Sequence, residues 1–236
     1  MKRLDELSVF FPFWNEEANV LEVVNRALPV VKKISEKWEI LLIDDGSTDK
    51  TKEICRKIAK ENPNIKAISY SPNRGYGGAL KEGFENSKYK YIAFTDGDRQ
   101  FDFSEITKFV DKLDQNDIVI GYRQKRRDNL VRHILMNMLR IWDLFFFNFH
   151  FKDIDCGFKL FKKSAIEKIY PLRSEGAMIT TEILAKAKGN RLAIAEVPVS
   201  HFPREFGEQN GANISVIVRA VLESFILWWD MKNGRF

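Results

Sequence analysis

The chain has 236 residues, of which 44% are apolar and 30% charged, and this composition excludes the disordered, collagen-like and low-complexity classes. No uncharged apolar run reaches the about 18–20 residues that span a bilayer, and the first residues lack the apolar stretch of a signal peptide. With only Cys55 and Cys156, a disulfide framework is excluded as well. We therefore expect a cytoplasmic chain.

The net charge of +5 is distributed unevenly along the chain. Residues 1–120 carry 19 Lys and Arg against 21 Asp and Glu, whereas residues 121–236 carry 19 against 12. Six of these cations lie in residues 121–140, beside a single anion, Asp128. A basic second half predicts an anionic partner such as a phosphate, a lipid headgroup or a nucleic acid, although a solvated basic face explains the charge equally well.

The first 123 residues alternate short apolar runs with stretches of helical periodicity. This alternation predicts an α/β fold, in which helices cover both faces of a mostly parallel sheet. The predicted strands are residues 7–11, 39–43, 65–70, 89–94 and 117–122. The predicted helices are residues 16–33, 49–61, 78–86 and 104–113.

After residue 123 the pattern changes to longer helices and aromatic clusters. Residues 130–147 repeat apolar pairs at helical spacing and therefore predict an amphipathic helix. Five phenylalanines cluster within residues 145–151, at the end of this helix and just after it. Residues 191–199 predict another strand, and residues 214–231 a helix that is apolar almost all round. The chain shows neither an internal repeat nor a flexible linker. We therefore expect one domain, residues 1–236, with an elaborated second half.

Polar side chains follow the predicted strands of the first half, at the edge where open α/β sheets bind their ligands. The first strand runs into residues 12–17 and the second into residues 44–49. A glycine-rich turn, residues 73–78, follows the third strand, and such a turn brings backbone close to a ligand. Neither a dinucleotide-binding glycine fingerprint nor a Walker motif is present.

Asp96 and Asp98 come directly after the fourth predicted strand. Two carboxylates one residue apart repel each other unless a cation lies beside them, and a hard divalent cation satisfies both. We therefore predict a metal site here, with Gln100 as a neutral oxygen ligand, in preference to a capped turn. Asp45, after the second strand, is predicted to accept hydrogen bonds from a nucleobase or ribose, the alternative being a helix cap.

The motifs of the first half resemble those of family 2 glycosyltransferases, which have the GT-A fold (nucleotide-diphospho-sugar transferase, Rossmann-like). They are Phe13-Trp14-Asn15-Glu16-Glu17, Ile43-Asp44-Asp45-Gly46-Ser47-Thr48-Asp49, Asn73-Arg74-Gly75 and Asp96-Gly97-Asp98. The second half is similar to the polyprenyl-phosphate branch, which includes dolichyl-phosphate mannose synthase and bacterial undecaprenyl-phosphate glucosyltransferases. It carries Gly121-Tyr122-Arg123 and the motifs at residues 155–161, 196–199 and 201–204.

This resemblance implies an inverting, metal-dependent transfer of mannose or glucose from GDP- or UDP-sugar to a dolichyl or undecaprenyl phosphate. Residues 1–123 would then be the nucleotide-sugar half, and residues 124–236 the acceptor half with its two amphipathic helices. The implied nucleotide-sugar-binding residues are Pro12, Trp14, Glu16, Ile43, Asp45, Asp96 and Gly97. The implied ligands of Mg²⁺ or Mn²⁺ are Asp96, Asp98 and Gln100, with Arg204 facing the donor diphosphate and Arg123 and Arg132 the lipid phosphate.

A lipid monophosphate is already anionic at neutral pH, so the reaction needs cations that position it rather than a base. The candidate cations are Arg123, Arg126, Arg127 and Arg132. If a base is used, Asp155 is the first candidate and Glu182 the second, although a role in orienting an arginine explains either residue equally well. A saccharide or glycolipid hydroxyl, the alternative acceptor, requires such a base.

Two other classes of function compete with glycosyl transfer. A nucleotidyltransferase typically carries a glycine-rich first loop, which residues 12–17 lack, and a non-enzymatic binding module predicts no metal-dependent nucleotide affinity. The phenylalanine cluster favours a helix at the membrane surface over one packed on the core. The expected partners are a nucleotide-sugar, a polyprenyl phosphate and the inner face of the membrane, with an integral-membrane partner or a homo-oligomer left open and no nucleic acid.

Overall fold

A computed structural model describes residues 2–124, 146–147, 149–206 and 214–233. Within these ranges the strands are β1 (Leu4–Phe13), β2 (Ser35–Asp44), β3 (Ile65–Ser69), β4 (Tyr91–Thr95), β5 (Ile118–Arg123), β6 (Phe158–Lys162) and β7 (Ile194–Val199). The helices are α1 (Val20–Ile34), α2 (Thr51–Glu61), α3 (Gly75–Asn86), α4 (Ile106–Val110), α5 (Lys163–Ile169), α6 (Ile179–Gly189) and α7 (Ile214–Lys232), with a 3₁₀ turn at Phe103–Glu105.

These strands form one sheet in the order β3-β2-β1-β4-β6-β5-β7. The pairs β1–β2, β1–β4, β2–β3 and β5–β7 are parallel, so the predicted α/β class with a mostly parallel sheet is confirmed. The exception is β6, which the sequence did not predict and which runs antiparallel to both of its neighbours, β4 and β5. The second half of the chain therefore contributes a strand to the middle of the sheet.

Two apolar layers cover the faces of the sheet. On one face α1, α2 and α4 pack around Phe11 and Phe158. On the other face α3, α5 and α6 pack around Phe10, Phe94 and Phe161, whose rings stack with centroids 5.2 Å and 6.0 Å apart. Each fully buried phenylalanine contributes about 2 kcal/mol to the free energy of folding. These layers therefore hold the strand ends in fixed positions.

The helix predicted to start at residue 16 begins at Val20 instead. The backbone N–H of Glu16 donates to Thr51 Oγ1 at 2.8 Å, and Asn15 Oδ1 accepts from the backbone N–H of Thr48 at 2.8 Å. These bonds tie the segment after β1 to the start of α2. Residues 14–19 therefore form an ordered turn at the carboxyl edge of the sheet.

The second half contains both buried and exposed aromatic side chains. Phe147 and Phe149 are buried and stack on each other at 5.4 Å, so these two members of the phenylalanine cluster belong to the core rather than to a surface. Most of the predicted helix 130–147, with its Arg132, lies outside the described residues, and so do Arg126 and Arg127 before it. None of the helices in the described part of the chain combines the length and apolar character that crossing a membrane requires.

Glu39 of β2 is a buried carboxylate that links four segments of the first half of the chain. It accepts hydrogen bonds from Ser8 Oγ (2.7 Å), the backbone N–H of Lys88 (2.9 Å) and Lys66 Nζ (3.0 Å). Burial alone would raise the pKa of Glu39, but the hydrogen bonds from Lys88, Ser8 and Lys66 outweigh it and the pKa is lowered. A lowered pKa contributes stability above the unfolded value of about 4.3, and this contribution is lost as the pH falls through the folded pKa.

We expect Glu39→Gln to lower the free energy of unfolding by about 2 kcal/mol at pH 7, because hydrogen bonds to a charged group are the stronger ones. The deficit shrinks on acidification, since protonated Glu39 resembles glutamine. Urea titrations at pH 7 and at about pH 2.5, below the lowered pKa, measure the deficit. The exposed Glu36→Gln on the same strand is the control. A deficit that is independent of pH would contradict the role assigned to the charge.

Candidate active site

The predicted site residues meet at the carboxyl edge of β1, β2 and β4. Asp45 follows β2, and its backbone N–H donates to Phe13 O of β1 at 2.9 Å. Asp96 and Asp98 follow β4, the other neighbour of β1 in the sheet. The sheet order thus brings together acidic groups that are some 50 residues apart in the chain.

Asp96 and Asp98 are partly buried carboxylates in the same short turn. Burial and the neighbouring charge of Asp98 raise the pKa of Asp96 to about 7. Burial also raises the pKa of Asp98, although Gln100 N–H and Arg204 act against that shift. Both carboxylates are therefore short of compensating positive charge, which is the condition that a hard divalent cation relieves. Among the described residues, no cluster of three or more His, Cys, Asp or Glu side chains has the geometry of a metal site.

The Asp96 carboxylate lies between α3 and the loop that precedes β6. Tyr76 donates its hydroxyl hydrogen to Asp96 Oδ1 at 2.8 Å. On the other side the Asp96 backbone N–H donates to Gly157 O at 3.1 Å, and a side chain at position 157 would overlap the carboxylate. Gly97 is tightly packed in the same way, since a Cβ there would collide with the Phe13 ring. The carboxylate is thus confined on two sides.

Lys159 of β6 is a fully buried cation beneath this pair. Its Nζ donates to the carbonyl oxygens of Ile154, at 3.1 Å, and Cys156, and lies 5.7 Å from the centroid of the Phe94 ring. Burial lowers the pKa of Lys159, whereas the carboxylates around it, Asp96 included, act in the opposite direction. Lys159 therefore fixes the loop that carries Gly157 and adds positive charge below the acidic pair.

Arg204 reaches the same edge from the segment after β7. Its Nη1 lies 3.5 Å from Asp98 Oδ2, and its Nη2 pairs with Glu16 Oε1. Burial raises the pKa of Glu16 against the opposing effects of Asn19 and Arg204. The Gln100 side chain donates to Phe202 O at 3.0 Å, which fastens this segment across the acidic turn. Arg204 thus stands beside Asp98, where a diphosphate bound at the turn would meet it.

Asp45 joins the end of β2 to the turn before α3. It accepts from Asn73 Nδ2 at 2.9 Å and from the backbone N–H of Arg74 at 2.8 Å, and burial raises its pKa. It does not cap α2; Asp49 does so by accepting from Thr51 N–H at 3.0 Å.

The other residues expected to bind the nucleotide-sugar differ in exposure. Pro12 and Ile43 are opposite one another in the β1–β2 register and are buried. Trp14 is 42% exposed at the same edge and is therefore accessible to a ligand.

The glycine-rich turn packs closely against a second loop. Gly75 and Gly77 belong to the first turn of α3, which packs on the loop at residues 173–175. The Gly77 N–H donates to Glu175 O at 2.8 Å, and a Cβ on Gly77 would lie only 2.5 Å from Ser174 O. These glycines permit close contact between two parts of the protein, and the approach of this turn to a ligand stays a prediction.

Arg123 lies at the end of β5 and is held by a carboxylate that the sequence did not single out. Its Nε and Nη2 donate to Asp153 Oδ2 and Oδ1 at 2.6 Å and 2.8 Å, and its side chain is only 9% exposed. Arg123 lies close enough to Asp96 and Asp98 to oppose the rise in their pKa values.

The two candidate bases occupy different surroundings. Asp155 is exposed on the loop before β6. Glu182 is buried on α6, pairs with Lys186 at 2.9 Å and accepts from the backbone N–H groups of Arg173 and Ser174. Although burial opposes it, these contacts lower the pKa of Glu182. Glu182 therefore anchors the 173–175 loop.

A family profile described as "Glycosyl transferase family 2" matches residues 8–170. The chain belongs to glycosyl transferase family 2. It is therefore a glycosyltransferase, as the motifs of the first half indicate, and the nucleotidyltransferase and the non-enzymatic module are set aside.

Several family 2 enzymes are similar in sequence to most of this chain. The dolichyl-phosphate beta-glucosyltransferase of Saccharomyces cerevisiae is 32% identical over 91% of this chain and 71% of its own length. The enzyme of the same name from Dictyostelium discoideum is 33% identical over 82% of this chain and 65% of its own length. The dodecaprenyl-phosphate galacturonate synthase of Rhizobium johnstonii is 27% identical over 98% of this chain and 70% of its own length. The chain thus spans about two thirds of the lengths of these relatives.

The fold of this family 2 chain is similar to that of a solved structure. Glucosyl-3-phosphoglycerate synthase from Mycobacterium tuberculosis, in complex with Mn²⁺, UDP and glucosyl-3-phosphoglycerate, superposes with a TM-score of 0.68. The two proteins are 21% identical, and the match covers 95% of this chain and 80% of that one. The expected GT-A fold is therefore confirmed.

Several side chains of the family 2 site were not singled out from the sequence. Tyr76 and Asp153 contact the predicted site residues Asp96 and Arg123 from segments that are distant in the chain. Lys159 is close enough to Asp96 to oppose the rise in the pKa of that carboxylate. A lysine enclosed by apolar residues, in Phe158-Lys159-Leu160-Phe161, is the sequence signal that could have indicated Lys159.

Proposed function

We propose that this glycosyltransferase moves a hexose from a UDP- or GDP-sugar to a polyprenyl phosphate. The observation that carries the proposal is the pair of confined carboxylates, Asp96 and Asp98, with Arg204 beside them at the carboxyl edge of the sheet. The relatives named after dolichyl- and dodecaprenyl-phosphate sugar transfer support the choice of acceptor.

The donor diphosphate would bind between the acidic turn and Arg204. Asp96, Asp98 and Gln100 would hold Mg²⁺ or Mn²⁺, and a divalent cation bound there would act as a Lewis acid on the departing diphosphate. Arg204 would place a second positive charge on the leaving group. At the neighbouring β2 end, Asp45 and Trp14 would contact the nucleoside.

The acceptor phosphate would attack the anomeric carbon from the face opposite the diphosphate. A phosphate oxygen forms the new bond to carbon as the bond to the diphosphate breaks, so the configuration inverts and the nucleoside diphosphate leaves. Because the acceptor is already an anion, no base is needed, and the cations of residues 124–236, with Arg123, would position it. Arg126, Arg127 and Arg132 remain proposed ligands of that phosphate.

Association with the inner membrane face is part of the proposal. On α7, Leu222, Phe225, Ile226 and Trp229 are between 44% and 62% exposed and follow one another at helical spacing. The excess of Lys and Arg after residue 120 complements anionic lipid headgroups. Such a surface would bring the site to an acceptor that never leaves the bilayer.

The direct test combines the purified protein with radiolabelled nucleotide-sugars, Mg²⁺ and detergent-dispersed polyprenyl phosphate. We expect a lipid-extractable product that chelation of the metal abolishes. The matched control is the polyprenol without its phosphate, which should accept no sugar. Transfer to polyprenol or to a saccharide would favour the hydroxyl-acceptor alternative, and no product with any common donor would defeat the proposal.

A further inference from the structure

The hydroxyl of Tyr76 contacts the acidic turn without belonging to it. Tyr76 lies in the first turn of α3, and its hydroxyl hydrogen points to Asp96 Oδ1 at 2.8 Å. The opposite side of the carboxylate faces Gly157, where there is no room for a side-chain atom. A carboxylate fixed between a hydrogen-bond donor and a backbone wall cannot rotate freely, so its orientation depends on Tyr76.

The position of Tyr76 is itself determined by the packing of α3. Gly75, with a φ of +83°, and Gly77 flank the tyrosine and allow the helix start to reach the loop at residues 173–175. That loop is in turn held by Glu182, which accepts from Ser174 N–H at 2.8 Å. Because the glycines on either side of Tyr76 pack against this loop, the backbone of Tyr76 is held in a fixed position.

We propose that Tyr76 is a positioning residue that keeps the Asp96 carboxylate in the orientation needed to bind the divalent cation. The inference rests on the proposed metal-dependent function. Partners that orient a metal ligand from behind change metal affinity or activity by about 10- to 100-fold when they are removed. The glycine-rich start of α3 thus acts on the metal site through Tyr76.

The test compares two variants that each remove one tyrosine hydroxyl, one on α3 itself and one that contacts α3. Tyr76→Phe removes the bond to Asp96, whereas Tyr170→Phe removes a 3.3 Å bond to Lys81 O on the same helix and leaves the acidic turn unchanged. Mn²⁺ affinity is measured by EPR titration, with Mn²⁺ alone and with UDP or GDP. Melting temperature and the KM values for Mn²⁺ and polyprenyl phosphate are measured alongside.

We expect Tyr76→Phe to bind Mn²⁺ about 10- to 100-fold more weakly, with a raised KM for Mn²⁺ and an unchanged KM for the lipid. Tyr170→Phe should match the wild type in both. Equal Mn²⁺ affinity in Tyr76→Phe and wild type would overturn the inference alone, as would an equal loss in both variants. If the wild-type protein binds no Mn²⁺, either alone or with UDP or GDP, both the proposed metal site and this inference are overturned.

Discussion

Asp98→Asn is expected to slow sugar transfer by about 10²- to 10³-fold, the loss typical of removing one electrostatic stabiliser of a transition state. Asparagine keeps the shape of the side chain but removes the negative charge that lies 3.5 Å from Arg204. The fold should survive, because the variant also relieves the repulsion between Asp98 and Asp96. Rates at saturating Mg²⁺ and the melting temperature measure the two effects.

Asp102→Asn is the matched control, four residues away in the same segment. Asp102 accepts from Ser104 N–H at 2.9 Å at the start of the 3₁₀ turn, and asparagine caps such a turn equally well. This variant should keep wild-type activity. If Asp98→Asn retained activity within a few-fold of wild type, Asp98 could not be a metal ligand.

Gly157→Ala is expected to reduce the transfer rate by about 10²-fold, although it adds a single methyl group. That methyl would overlap the Asp96 carboxylate, which would have to leave its place beside Tyr76. A displacement of about 1 Å in a catalytic arrangement costs about this factor. The rate and the Mn²⁺ affinity should fall together, which initial-rate kinetics and EPR titration detect.

Gly189→Ala provides the comparison, since a Cβ at the end of α6 meets no atom within 4 Å. Its activity should equal that of the wild type. Normal Mn²⁺ affinity in Gly157→Ala would show that the close packing at Asp96 has no part in the site.

The strands of the first half could be predicted because each is a nearly continuous apolar run, as buried parallel strands are. β6 could not, because Lys159 and Lys162 interrupt its apolar residues and charged side chains normally indicate exposure. Lys159 is nevertheless buried, since its ammonium group reaches two backbone carbonyl groups. Only the folded chain shows that these acceptors are available.

The acidic pair was predictable for a different reason: its two members are neighbours in the sequence. Tyr76 is 20 residues from Asp96, and Asp153 is 30 residues from Arg123, so their contacts depend on how the sheet is ordered. The contact partner of the turn at residues 73–78 could not be predicted, because glycine permits close approach by any neighbour. Its neighbour is the loop at residues 173–175, 100 residues further along the chain.

The antiparallel strand β6 limits how members of this family can be recombined. A chimera that takes its acceptor part from a relative by joining the chains near residue 124 would also exchange β6, whose partners β4 and β5 stay behind. The side chains of β4 and β5 would then have to pack against those of a β6 from another protein. Exchanging only the segment between Arg123 and Phe158, which carries the proposed acceptor ligands Arg126, Arg127 and Arg132, leaves every strand beside its own neighbours.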